Sequence, residues 1–317
     1  MNKPKKIVIA GGSGFIGRTL ARALLARGNE VVILTRHPEA WQGSGRAAFW
    51  DGINLGPWSS EVDGADAVVN LAGKNVNCRY TRKGLKEVDE SRVNAVKAMG
   101  AAIAQAAHPP RVLVQASTTA IYGDAGERAC DESTPPGEGI PPATAKMWEA
   151  AFHASPTPHT RRVHLRISFA LGRDGGALRM LATLTRALLG GAVGTGRQYI
   201  SWIHLDDLVR LVIRAIDDEQ MSGLYIAATP NAVRNADFMR ELRRVLHRPW
   251  SRRVPAILVR IGCVILRTEP VLALTGRRAM PRRLMEMGFD FLHPTLPEAL
   301  DAIFAGENPR EALPSTA

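Results

Sequence analysis

Cysteine is scarce in this chain, at three residues in 317. Cys78, Cys130 and Cys263 lie far apart with no C-x-x-C pair. That spacing suggests neither a disulfide framework nor a zinc site, so a reducing, cytoplasmic setting without bound metal is expected. Long apolar runs are missing as well. The N-terminus lacks the apolar core of a signal peptide. The nearest approach to a membrane span, Ala256 to Leu266, is short and broken by Arg260, so no membrane partner is expected. Acidic residues are in deficit, 30 against 41 Lys and Arg, for a formal charge of +11. Concentrated on one face, that excess would suit nucleic acid. The arginines instead fall in short scattered pairs such as Arg161-Arg162, Arg243-Arg244, Arg252-Arg253, Arg277-Arg278 and Arg282-Arg283, and aromatics are only 6% of the chain. Without an interleaved stacking platform, no nucleic-acid partner is expected either.

What is present is apolar content of 45%, enough for a large core. A glycine run, Gly11-Gly12-Ser13-Gly14-Phe15-Ile16-Gly17, follows the apolar stretch Ile7-Val8-Ile9-Ala10 and precedes Leu20, Ala23 and Leu24 at helical spacing. A buried strand, a glycine loop and a helix in this order match a dinucleotide site: glycines permit the tight turn and close phosphate approach, and the helix start presents unpaired N–H groups. The next apolar run, Glu30 to Leu34, ends on Thr35-Arg36. An acidic residue belongs near here when the adenosine ribose has a free 2′-hydroxyl. A hydroxyl and a guanidinium suit a 2′-phosphate instead, so NADP(H) is the expected cofactor.

Strand-like segments at 67–71, 111–115 and 162–167 alternate with helical ones, which predicts a right-handed, doubly wound α/β fold of Rossmann type. The crossover helix between the first two should run from about Thr81 to Ala107. Residues 124–142, rich in Gly, Pro and acid, read as a surface loop. A helix beginning after Gly175-Gly176 should reach Leu189, and His204-Leu205-Asp206-Asp207 should open another. The division expected is a nucleotide-binding domain over 1–170, with a return strand and helix near 199–228, and a smaller, mostly helical substrate lobe over 171–317.

Further blocks accompany the glycine loop: Asn70-Leu71-Ala72-Gly73, Ala116-Ser117-Thr118-Thr119-Ala120-Ile121-Tyr122-Gly123, Trp148-Glu149-Ala150-Ala151 and Ser201-Trp202-Ile203-His204. On these the chain resembles the extended, atypical short-chain dehydrogenase/reductases of the epimerase/dehydratase type. Gly175-Gly176-Ala177-Leu178, Gly194-Thr195-Gly196-Arg197-Gln198 and the tail Pro281-Arg282-Arg283-Leu284 with Gly288-Phe289-Asp290-Phe291 are similar to the YfcH-like epimerase-family subgroup. The resemblance spans residues 6 to about 304. It implies cofactor contacts from Gly11, Ser13, Gly14, Phe15 and Ile16 to the pyrophosphate, from Thr35 and Arg36 to the adenosine, and from Leu71, Ala72 and Gly73 behind the fourth strand. Ser117 and the turn near Ala170 would border the nicotinamide, and Arg92 would face an anionic cofactor or substrate group or else form a structural salt bridge. A homodimer is the assembly common in the extended class.

The resemblance also implies a catalytic Ser/Thr, matched by Thr118, and a Tyr-x-x-x-Lys pair. That pair is missing: with Glu149 on the family glutamate, Pro141 and Ala145 occupy the two positions, and neither transfers protons. Lys146 lies one residue away, a rotation of about 100° on a helix. Acid/base candidates are therefore Tyr122, Lys146, Tyr80, Tyr199 and His204, the last also a natural helix cap. Cys78 has no visible histidine partner to activate it. Two functions stay open: an NADP(H)-dependent oxidoreductase or epimerase-like enzyme on a small polar substrate with a relocated proton donor, and a non-catalytic NADP(H)-binding protein that reports redox state.

Overall fold

The computed structural model describes residues 3–248 and 250–305; the end of the C-terminal lobe, 306–317, lies outside the described residues. The first half runs β1 (Lys6–Ala10), α1 (Phe15–Ala26), β2 (Glu30–Thr35), β3 (Arg46–Phe49), β4 (Ala67–Asn70), α2 (Arg82–Gln105), β5 (Val112–Thr118), β6 (Ala129–Cys130) and α3 (Ile140–Ala154). It continues with β7 (Arg161–Ile167), β8 (Phe169–Leu171), α4 (Gly176–Arg186), β9 (Tyr199–Ile200), β10 (Trp202–His204), α5 (Leu205–Asp217) and β11 (Gly223–Ala227). The last part holds β12 (Val233–Arg234), α6 (Asn235–Val245), α7 (Ala256–Ile265), α8 (Val271–Leu274), β13 (Arg278–Ala279), α9 (Arg282–Glu286) and α10 (Leu296–Phe304).

Seven strands form one parallel sheet in the order β11-β7-β5-β4-β1-β2-β3, a Rossmann-type doubly wound arrangement. Alternation along each strand splits its side chains between two cores. Ile7, Ile9, Val31, Ile33 and Val69 meet Leu20 and Leu24 of α1 and Leu208 and Val212 of α5. Val8, Ala10, Val32, Leu34 and Val68 meet Val96 and Met99 of α2 and Trp148 of α3. With both faces covered, β1, β2 and β4 read as largely continuous apolar runs rather than alternating ones.

Local chemistry sets the helix ends. Thr81 caps α2 by accepting from the Gly84 N–H. Gly28, at φ 80°, closes α1. Two expected boundaries move. Residues 140–142 belong to α3 rather than to the loop, because Pro141 and Pro142 fill first-turn positions whose N–H groups have no helical acceptor in any case. The helix α4 stops at Arg186, short of Leu189, as Leu188 turns left-handed at φ 63°.

Beyond the sheet, Leu171, Leu178, Trp202, Phe238, Leu242, Leu300 and Phe304 form a third apolar cluster. The strand pair β13/β6 ties the C-terminal part to the segment after β5. This lobe therefore sits against the carboxyl ends of the strands, where open α/β sheets bind ligands.

Candidate functional site

The chain leaves β1 outward through β2 and β3 on one side, and through β4, β5, β7 and β11 on the other. The crevice outside the carboxyl ends of β1 and β4 is thus the topological switch point. Gly11 turns there at φ 72°, and a Cβ on it would stand 2.9 Å from the carbonyl carbon and oxygen of Leu71. A Cβ on Gly17 would lie 2.5 Å from the Gly12 Cα, so α1 presses directly onto the loop. The Gly14 N–H closes the turn on the Gly11 carbonyl at 3.0 Å. Gly14 is the N-cap of α1, and no side chain satisfies the first-turn N–H groups. Those donors and the positive end of the helix dipole suit a pyrophosphate. Phe15 contributes backbone here; its ring packs against Gly172, Gly175 and Gly176, and Ile16, in the first turn of α1, packs against the core.

At the end of β2, the Thr35 hydroxyl lies 3.5 Å from the Ser13 hydroxyl and accepts from the His37 N–H. Arg36 is exposed and forms no ion pair among the described residues. The strand ends on Thr35 and Arg36, with no acidic residue at its carboxyl end to bind a ribose diol. Behind β4, Ala72 N–H donates to the Asn70 side chain, whose amide donates to Gln115 across to β5. The backbone of Leu71, Ala72 and Gly73 is thereby held along the crevice.

Arg92 projects from α2 under this backbone. It is only 9% exposed, and a Cβ on Gly73 would stand 3.4 Å from its guanidinium carbon. Its Nη1 donates to the Val88 carbonyl, its guanidinium lies 5.1 Å from the Trp148 ring centre, and no carboxylate pairs with it among the described residues. The salt-bridge alternative for Arg92 therefore fails. The Trp148 indole N–H is buried without a hydrogen-bond partner. Sequence spacing marks Trp148 only as a packing anchor; its proximity to Arg92 is a tertiary fact.

The other expected site residues divide. The Thr118 hydroxyl is partly exposed and accepts from the Ala120 N–H at 3.1 Å, which leaves its own proton to donate. Ser117, next along β5, points the opposite way: it is buried and donates to Glu149 at 2.7 Å, so its side chain does not border the crevice. Tyr122 is corrected too. Its hydroxyl is buried, donates to the Asp131 carbonyl and accepts from Arg166, each bond below 3 Å. Burial, partly offset by the Arg166 charge, pushes its pKa up to about 12. Such a phenol is a structural member of the wall and no proton donor to the crevice. Lys146 is exposed on α3 while Ala145 is fully buried, so the one-residue slip does turn the amine outward. Ala170 is half-buried in β8, paired in register with Ile203. His204 caps α5, its Nδ1 accepting from the Asp206 N–H. Tyr199 is flanked by Arg234 and Arg278 over its ring. Tyr80 remains, its phenol pushed up to about 12 by burial and by the nearby Cys78, within electrostatic reach of Arg92.

Beneath Ser117 lies a buried ionic network of Glu149, Arg166 and His164. Arg166, inside the buried strand β7, makes a two-point ion pair with Glu149, at 2.9 and 2.7 Å. The sequence signal for it is a charge at the penultimate position of β7, beside the apolar Leu165 and Ile167. Burial would raise the Glu149 carboxyl, but the Arg166 bonds, the His164 and Arg166 charges and the Ser117 bond hold it below the usual carboxylate range. His164 Nε2 faces Glu149 at 3.7 Å without a hydrogen bond. Its burial, opposed by Glu149, depresses its pKa from 6.5 to about 4. The unfolded chain therefore binds more protons between those values, and stability falls as pH drops through the interval, by up to about 3 kcal/mol. Denaturation midpoints across that range should show the decline, and His164→Leu should flatten it; an unchanged slope in the variant would assign the decline elsewhere.

Comparison with known proteins fits this architecture. Residues 7–226 match the model of the NAD dependent epimerase/dehydratase family, and residues 254–303 match a domain of unknown function, DUF1731. The human epimerase family protein SDR39U1 is 32% identical over 304 residues, 95% of this chain and all of that one. The Bacillus subtilis epimerase family protein YfhF is 32% identical, over 94% of this chain and 98% of its own. A crystal structure of human SDR39U1 with NADPH has a TM-score of 0.85 at 31% identity, covering 95% of this chain and 99% of that one. With its glycine loop at the switch point of a seven-stranded parallel sheet and its C-terminal part folded over the strand ends, the chain belongs to the NAD dependent epimerase/dehydratase family.

Proposed function

We propose that this protein is an NADP(H)-dependent oxidoreductase acting on a small substrate with an anionic group. The observation that carries the substrate half is Arg92, a buried guanidinium that lies against Gly73 and, among the described residues, forms no ion pair, Asp89 acting on it only through space. A charge so placed costs free energy unless a ligand supplies the counter-charge. The cofactor half rests on Thr35 and the unpaired Arg36 at the end of β2, and on the human relative whose structure holds NADPH. Gly11, Ser13, Gly14, Phe15 and Ile16 would hold the pyrophosphate through backbone N–H groups. The bound nicotinamide supplies or accepts a hydride. Arg92 seats the substrate anion, the Thr118 hydroxyl donates to the reacting oxygen, and Tyr80, protonated at neutral pH, is the phenol on hand.

Thr118→Val should lower kcat about 100-fold, the scale of losing one oriented donor, while cofactor affinity is retained. Intact turnover would remove Thr118 from the chemistry. The broader experiment incubates the purified chain and NADPH with 2-oxo acids and with uncharged ketones of the same size. Oxidation of NADPH by the acids alone is expected; turnover of the uncharged ketones alone would overturn the Arg92 assignment. A second reading, a non-catalytic NADP(H)-binding protein, draws on Pro141 and Ala145 at the usual proton-transfer positions and on the outward Lys146. It is favoured if NADPH binds tightly and no carbonyl is reduced.

A further inference from the structure

The helix α7 is apolar on nearly every side, yet of its ten residues only Cys263 is buried. Ile257, Leu258, Ile261, Val264 and Ile265 are all more than half exposed, Ile265 reaching 76%. Spacings of four, seven and eight from Ile257 place Ile261, Val264 and Ile265 along one face. Just before the helix, Trp250 is 66% exposed. The Ser251 hydroxyl donates to the Leu188 carbonyl at 2.8 Å, bringing the exposed Leu188 and Leu189 alongside. A soluble surface rarely leaves so much contiguous aliphatic area uncovered.

The charge around this patch has one sign. No Asp or Glu occurs between Glu241 and Glu269. Arg252, Arg253, Arg260 and Arg267 are exposed and form no ion pair among the described residues; Arg252 reaches only the Trp250 ring. An aliphatic helix face, a tryptophan at its edge and unpaired arginines around it are the parts of an element that lies in a bilayer interface. Among the described residues no helix is long and apolar enough to cross a membrane, and α7 would span only about 15 Å. Length excludes a span without excluding a helix in the plane of the headgroups.

We propose that α7 with Trp250 is a docking surface for an anionic lipid bilayer, the aliphatic side chains entering the acyl boundary and the arginines meeting the headgroups. The expectation from sequence, that a failed span means no membrane partner, rests on length alone and misses this exposure. A second copy of the chain fits less well: a two-fold contact would set Arg252, Arg253, Arg260 and Arg267 of each copy near those of the other, with Glu269 the nearest acid in the sequence and already engaged by Tyr80 and Arg79. Nucleic acid would meet aliphatic side chains where bases need aromatic faces. The surface also adjoins the crevice, since Arg79 donates to the Thr268 carbonyl and the Tyr80 N–H donates to Glu269, both just past α7.

The test is flotation of the full chain with vesicles of phosphatidylcholine alone and with phosphatidylserine added. At low salt, binding at least tenfold stronger to the anionic vesicles is expected, with a blue-shifted tryptophan emission and loss of binding at high salt. Ile261→Glu with Ile265→Glu, and separately Arg252→Glu with Arg253→Glu, should each abolish flotation while the melting temperature is unchanged, as these side chains are exposed in the fold. No binding to anionic vesicles would overturn the proposal, as would binding that survives both variants. Self-association abolished by Ile261→Glu with Ile265→Glu, in a protein that ignores vesicles, would assign the face to a second copy instead.

Discussion

Glu149→Ala is expected to destabilise the protein by about 3–5 kcal/mol, because it strands the buried Arg166 guanidinium without a counter-charge. Arg166 is 6% exposed, and its Nε and Nη2 both donate to Glu149. The remaining donor atom, Nη1, is bonded to Tyr122, so the change also loosens the wall formed by Tyr122 and leaves the Ser117 hydroxyl without its acceptor. A loss of this size is a large part of a typical domain's stability of about 5–15 kcal/mol. Urea denaturation would measure it as a lowered midpoint. The companion variant, Glu149→Leu with Arg166→Met, removes both charges and should recover most of the loss. If the single substitution costs less than about 1 kcal/mol, the pair is not the anchor between α3 and β7 that its geometry makes it.

Arg36→Asp should weaken NADPH binding by about 100-fold or more while changing NADH binding little. A charge-assisted hydrogen bond contributes about 1.5–3 kcal/mol, and the new carboxylate would repel a 2′-phosphate while accepting from a free ribose hydroxyl. Because Arg36 is exposed and supports no packing, a folding defect is a poor explanation for any loss, and the ratio of the two dissociation constants reads the effect directly. Equal weakening of both cofactors would show that Arg36 does not meet the 2′-phosphate. The Thr35 hydroxyl, already accepting from His37 N–H, would then be the feature to test for adenosine contacts.

Much of this architecture is legible in sequence because it is periodic or punctuated. The run Ile7 to Ala10, the glycines at 11, 14 and 17 and the cap Thr81 each act through their neighbours in the chain, and each lies where spacing puts it. Direction is harder. Alternation along β5 says that Ser117 and Thr118 face opposite sides, but only the packing of α3 decides that Ser117 is the buried one. The same limit applies to Tyr122, whose hydroxyl is captured by Arg166 from a strand 44 positions further along the chain. Lys146 shows the same limit: sequence offers it as an acid/base candidate, and the structure has it exposed on α3 beside the buried Ala145. The start of α3 was hidden by Pro141 and Pro142, residues that end helices from within but open them from the first turn. Arg92 is readable as a crossover-helix arginine, whereas its lack of an ion pair among the described residues emerges only when Gly73 and Trp148 close around it.

The seventh strand of the sheet carries a consequence for how the protein is made. β11 pairs with β7 from Gly223↔Val163 to Ala227↔Ile167, so the edge of the nucleotide-binding sheet is completed by residues that leave the ribosome some 60 positions later. Throughout that interval β7, with Val163 and Leu165 among its own buried residues, is an open parallel edge able to pair with other strands. Nascent chains crowded on one message would present the same edge to one another, and pairings so distant in sequence form slowly. The sheet is accordingly complete at this edge only once Gly223 to Ala227 have been made and have paired with β7.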